Sequence, residues 1–183
     1  MEIDSWRREL SIDGKNGIAF LMPAVIVWGL ITLVFLLPFD LYTRNILMLG
    51  SCGLMFPLTM AAARVLQAKW SFDHNPLGNL GFILNLAQLM YFPLIFWAMS
   101  RSPAEAVMVF AVITGGHFFP YGWFYQSLPF YVMAPIISVS VTVIGLGWGA
   151  NQQWIIAGTM TGLLVLLFGW LVKDYHKTIR LHT

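Results

Sequence analysis

The chain predicts an all-α, polytopic membrane protein: a single domain of six transmembrane helices with both termini on the cytoplasmic side. Three observations carry that expectation. Of the 183 residues, 58% are hydrophobic and 10% charged, where a soluble domain carries about 25% charged residues, and the mean hydropathy is +0.74. The apolar residues gather into six stretches of about the 20 residues that a helix needs to cross a hydrocarbon core. The ten Lys and Arg are shared unequally between the two sets of loops that those stretches define.

The first stretch is preceded by a mixed-charge segment with Glu2, Asp4, Glu9 and Asp13 among Arg7, Arg8 and Lys15. It reads as a short cytoplasmic amphipathic helix. The apolar run behind it is too long for the core of a secretory leader and ends at Pro38 and Asp40 without a small-residue cleavage site, so it is expected to span the membrane. The predicted spans are 17–39, 46–63, 77–99, 106–125, 128–149 and 153–172. Breaks fall at 40–44, 73–76, 101–103, 126–129 and 150–151. Residues 126–129 hold no charge, so five spans with one re-entrant segment is the competing count. Before the third span, Asp73 or Asn75 is a candidate helix cap, with Pro76 in the first turn.

With the amino terminus inside, eight of the ten Lys and Arg lie on the cytoplasmic side and only Arg44 and Arg101 opposite, which orients the bundle. Tyr42, Trp70, Trp97, Trp123, Tyr125, Tyr131, Trp148, Trp154 and Trp170 mark span borders, where amphipathic rings settle. Pro23, Pro57, Pro93, Pro120 and Pro135 fall inside spans, with many glycines. Membrane helices tolerate such kinks and pack on small residues; the sharper reading is that broken helices offer backbone carbonyls to a ligand. The segments 53–64 and 88–101 share an LM-FPL core and a terminal arginine, a similarity that so biased an alphabet produces by chance more readily than by duplication.

No Asp, Glu, Lys or Arg lies deep inside any span, which argues against a proton antiporter, a voltage sensor or a pump for charged substrates. The polar side chains that do lie there are neutral. Gly78, Gly81, Asn85 and Gln88 recur at helical spacing on one face of the third span, with Asn85 and Gln88 roughly 12–17 Å from its cytoplasmic start. On the fourth span, His117 lies roughly 18 Å from the outer end. Tyr91 and Tyr121 stand a turn from Gln88 and His117. Amides and an imidazole facing lipid would each cost several kcal/mol, so these groups are expected to face the interior. Two roles compete there: interhelical hydrogen bonds, or a small-molecule pocket walled by Phe118, Phe119, Tyr121, Trp123 and Phe124. The candidate ligand-binding residues are Asn85, Gln88, Tyr91, His117, Tyr121 and Trp123, and the imidazole would make binding pH-dependent.

Other chemistries lack their residues. Cys52 is the only cysteine, so no internal disulfide or multi-cysteine metal site is expected. His117 is the only intramembrane histidine, short of the three or four ligands a zinc site needs. Cys52 or Ser138 with His117 would lack a third, orienting group, and no cofactor fingerprint occurs. Nor does any basic groove interleaved with aromatics suggest nucleic acid. The runs NPLGNLG (75–81), NLAQLMYFPL (85–94) and HFFPYGW (117–123) resemble those of a family of small bacterial six-helix membrane proteins with no assigned activity. That resemblance implies a bacterial plasma membrane. Substrate-binding subunits of vitamin-uptake transporters are similar in length and span count only, since their small-residue motif on the first helix is missing here. The sequence therefore leads to a binding or transport protein for a small, largely neutral or aromatic molecule. The alternative is a partner subunit, in a homo-oligomer or with another membrane protein, whose small residues such as Gly158 and Gly162 pack in an interface.

Overall fold

A computed structural model describes residues 2–69, 71–148 and 152–180. Among them the secondary structure is entirely helical, and six segments are long and apolar enough to cross a membrane: Lys15–Leu36, Leu41–Leu66, Gly78–Arg101, Ala106–Phe124, Leu128–Gly147 and Gln153–Arg180. Of the positions assigned from the sequence, Trp70, Gly149, Ala150 and Asn151 lie outside the described residues, as does the side chain of Trp148.

The first span is α2 (Ile18–Leu36), preceded by α1 (Glu2–Asp13). α2 stops where it does because Leu37 precedes Pro38 and is extended, at φ −73 and ψ 152, the conformation a following proline ring imposes. The second span starts earlier than the sequence suggested. Asp40 accepts the Thr43 backbone N–H at 3.0 Å and the Thr43 hydroxyl at 2.6 Å, so the polar residues expected to form a loop instead cap a helix that begins at Leu41.

The second, third and fourth spans are each broken into two helices: α3 (Leu41–Cys52) with α4 (Met55–Leu66), α5 (Gly78–Leu89) with α6 (Phe92–Arg101), and α7 (Ala106–His117) with α8 (Phe119–Phe124). Each second half carries a Phe-Pro pair in its first turn: Phe56-Pro57, Phe92-Pro93 and Phe119-Pro120. Proline has no N–H to give and its ring crowds the preceding turn, so the helix tightens before it. Gly53 N–H reaches Gly50 O at 3.1 Å, Met90 N–H reaches Ala87 O at 3.2 Å, and Phe118 N–H reaches Gly115 O at 3.2 Å. The motif shared by 53–64 and 88–101 thus marks the same local event in two spans. α9 (Leu128–Trp148) and α10 (Gln153–Arg180) are continuous, with Pro135 held inside α9.

α10 packs along α2 to form the spine of the bundle, and the two are bridged by the Thr32 and Thr161 hydroxyls at 3.0 Å. α9 and α7 pack on α10 from the other side, and α3 and α4 on α2. The hairpin of α7–α8 against α9 is close because glycine lets it be. A Cβ on Gly145 would fall 2.3 Å from Met108, one on Gly115 2.7 Å from Ile137 and 2.8 Å from Ser138, and one on Gly122 2.6 Å from the Tyr131 ring. Along these contacts one residue number rises as the other falls by an equal step, the register of two antiparallel helices. Between them the chain turns at Gln126, in the left-handed region at φ 53, and at the fully buried Ser127. The fourth and fifth candidate spans are therefore separate, antiparallel helical segments. The third span is peripheral: it packs chiefly on α7, and only 11% of its most apolar window is buried, against 50% for the first and fourth spans.

α1 closes one end of the bundle. Its Arg7 donates from Nε to the Trp123 carbonyl at 2.7 Å and lies 4.6 Å from the Trp123 ring centre. Asn75, in the turn before α5, donates to the Trp6 carbonyl at 2.9 Å and to Glu9 at 3.0 Å, while its own side-chain oxygen accepts Leu77 N–H at 2.9 Å. Asn75, rather than Asp73, thus organises that turn. Lys69 pairs with Asp13 at 2.7 Å. On α10, Asp174 accepts the Ser127 hydroxyl at 2.7 Å and Asn16 at 3.4 Å, and Tyr175 donates to Ile12 O at 3.3 Å. The amino-terminal helix and the last turns of α10 therefore share one end of the bundle.

Candidate functional site

The polar face of the third span meets the fourth. Gly81, Asn85 and Gln88 follow one another at intervals of four and three within α5, so they line one helical face; His117, Tyr121 and Phe124 straddle the break between α7 and α8 but touch in series, with ring centres 5.3 Å and 6.1 Å apart. The two faces touch at Gly81, where a Cβ would sit 3.0 Å from the Phe124 ring. The spans run in opposite directions, so seven residues from that contact on either side bring Gln88 and His117 to the same height, about 10 Å away.

The side chains on these faces have different partners. Asn85 is half-buried and donates to Gly81 O on its own helix at 2.9 Å. Gln88 is also half-buried; its carbonyl accepts the Tyr91 N–H at 3.2 Å, but its side-chain amide has no hydrogen bond among the described residues. His117 is half-buried; its Nε2 lies 3.4 Å from the Tyr121 hydroxyl, with the two rings edge-on at 5.3 Å. Pro93 and Pro120 contribute in a less visible way. A proline leaves the carbonyl four residues before it without its usual helical donor, and those carbonyls belong to Leu89 and Gly116, the neighbours of Gln88 and His117. A primary amide, an imidazole, a phenol and the Leu89 carbonyl thus occur at one level, while the Gly116 carbonyl accepts the Phe118 N–H instead. All are neutral hydrogen-bonding groups, suited to a ligand with its own donors and acceptors.

Below them lies an aromatic floor. Tyr121 contacts Phe124 at 6.1 Å, Tyr125 at 5.9 Å and Phe130 at 5.9 Å, and Phe124 contacts Tyr125 at 4.7 Å. Gly17, at φ 74, lies beneath Tyr125, where a Cβ would come within 2.8 Å of the ring. Tyr125, read from the sequence as a border residue, is 7% exposed and part of the core.

Tyr91 and Trp123 are placed apart from the others. Tyr91 is 55% exposed, on the far side of the break that turns α6 relative to α5, and Trp123 is 39% exposed beneath Arg7. Of the expected aromatic walls, Phe118, Tyr121 and Phe124 are buried, whereas Phe119 faces outward. Sequence reasoning did not single out Phe130 or the buried group of Ser11, Asn16 and Ser127 around Asp174. The available signal was Asp174 itself, the lone carboxylate after residue 152. Among the described residues no group of three or more His, Cys, Asp or Glu could hold a metal ion.

A family model described as "Family of unknown function (DUF7010)" matches residues 3–174. The chain belongs to that family. No match was found among curated proteins or solved structures.

Proposed function

We propose, starting from that family membership, that the chain is an integral membrane protein that binds or transports a small, largely neutral or aromatic molecule between its third and fourth spans. It sits in the plasma membrane with both termini in the cytoplasm, an orientation supported by eight cytoplasmic Lys and Arg against two. The observation that carries the ligand reading is the shared height of Gln88 and His117 on facing helices, with the Gln88 side-chain amide free of any hydrogen bond among the described residues. An amide facing an apolar surround without a partner is costly, and a ligand's polar group relieves that cost. The loosely packed third span gives such a ligand a side route from the bilayer, and the aromatic floor offers stacking. Asn85 and Tyr121 complete the polar set; Tyr91 and Trp123, expected from the sequence to join it, stand at its margins.

The test is a thermal-shift screen of purified protein in a mild detergent against small neutral aromatic and amide-bearing compounds. A ligand is expected to raise the melting temperature of the wild type, and Gln88→Ala and His117→Ala are expected to abolish that rise while melting normally without ligand. If every stabilising compound acts equally on both variants, the site is elsewhere. The second reading, a subunit that only holds another membrane protein, draws support from Gly162, which opens onto free space on α10. Crosslinking in native membranes through a cysteine at position 162 would trap the neighbour that this reading requires.

A further inference from the structure

α10 is longer than a bilayer requires. Its 28 residues extend about 42 Å, against about 30 Å of hydrocarbon, so a span that starts at Gln153 leaves the core near Lys173. Inside the core the helix presents Leu166, 63% exposed, and Trp170, 38% exposed. Continuing at the same intervals, the next exposed residues are Lys173, Lys177 and Arg180. This single stripe is apolar over the acyl chains, aromatic at the interface and cationic beyond it. Lys173, His176, Lys177 and Arg180 line one shallow recess. The carboxylate that would neutralise them, Asp174, is turned the other way, onto Ser127 and Asn16.

We propose that this recess binds the headgroup of an anionic phospholipid whose acyl chains lie along Leu166 and Trp170. This lipid site rests on the membrane reading of the chain and is independent of the ligand site between the third and fourth spans. A basic residue near an anionic bilayer surface strengthens binding about fivefold. A soluble anion would gain from the three cations only, whereas the lipid also covers the apolar part of the stripe, and that continuity selects the lipid.

The test is native mass spectrometry of detergent-purified protein titrated with phosphatidylglycerol, phosphatidylcholine or inorganic phosphate. The wild type is expected to retain phosphatidylglycerol in preference to phosphatidylcholine. The triple variant Lys173→Gln, Lys177→Gln, Arg180→Gln is expected to lose on the order of a hundredfold in phosphatidylglycerol affinity, with phosphatidylcholine unchanged. Arginine at 173 and 177 should preserve binding, and Arg101→Gln, at the opposite end of the bundle, should leave it intact. Equal phosphatidylglycerol binding by the wild type and the triple variant overturns the proposal. So does inorganic phosphate that displaces the lipid at equal concentration. Carbonate extraction of membranes reports separately on whether the chain is integral, so failure of the membrane reading is distinguishable from failure of the lipid site.

Discussion

Replacing Asp174 with alanine should loosen the whole capped end of the bundle. The carboxylate accepts the Ser127 hydroxyl at 2.7 Å and the Asn16 amide at 3.4 Å. Ser127 is 0% and Asn16 1% exposed, so water cannot take over as acceptor. A hydrogen bond to a charged acceptor contributes about 1.5–3 kcal/mol, and a buried donor left unpaired costs about 1–3 kcal/mol. The longer Asn16 contact belongs at the low end, and Asn16 keeps a second partner, since its side-chain oxygen accepts the Ser11 hydroxyl at 2.5 Å. A loss of about 2–4 kcal/mol follows, or roughly 5–15 °C in melting temperature for a chain of this size. Asp174→Asn, which keeps one acceptor oxygen, should lose about half as much. The chain carries its own reporter: Cys52, the sole cysteine, is part-buried with its thiol donating to Met48 O at 3.4 Å, so reaction with a fluorogenic maleimide during heating follows unfolding. A melt of Asp174→Ala within about 2 °C of wild type, or full additivity with Ser127→Ala, would refute the reasoning, because partners in one network must couple.

Three further outcomes follow from the geometry. Gly122→Ala places a methyl group within 2.6–2.8 Å of three Tyr131 ring atoms and should cost about 1–3 kcal/mol by overpacking, whereas Gly50→Ala, with open space around it, should be neutral or stabilising in the same melt. Arg7→Ala removes the bond to the Trp123 carbonyl and the ring contact; backbone amides of α1 should then exchange hydrogen at least several-fold faster while those of α10's buried middle stay protected. Hydrogen bonds from Thr43 hold the Asp40 carboxyl below its usual 3.8. Its contribution is therefore fully present above that value and lost as pH falls through the folded one. The melting gap between wild type and Thr43→Val should be open near neutrality and close as the pH falls past 3.8 and through the lower folded value.

The six apolar stretches were legible because length and hydropathy alone define them, while their ends were not. Asp40 and Arg44 look like a loop until the geometry reveals a cap, and α10 runs eight residues past its expected end at 172 because Asp174 and Tyr175 dock against the start of the chain. Helical spacing correctly grouped Gly81, Asn85 and Gln88, since that face lies within one unbroken helix. It misjudged Tyr91, which lies just beyond a break that resets the angular count. Trp123 follows the same logic at finer scale: it is the immediate neighbour of buried Phe124, and a single residue turns the chain by about 100°. Tyr125 resembled a border residue because composition carries no record of Gly17 lying beneath it. The Asp174 network joins residues about 50 and 160 apart in sequence, and no local pattern announces such a pairing.

The clasp between Asn16 and Asp174 has a consequence for biogenesis. Asn16 stands at the start of the first candidate span and Asp174 near the end of the sixth, so, if those spans cross a bilayer as proposed, the two can meet only when an even number of crossings separates them. A chain that skips one insertion leaves its carboxylate stranded across the membrane and its amino-terminal helix undocked. In that reading the closing contact acts as a parity check on insertion, out of reach whenever an odd number of spans is missing.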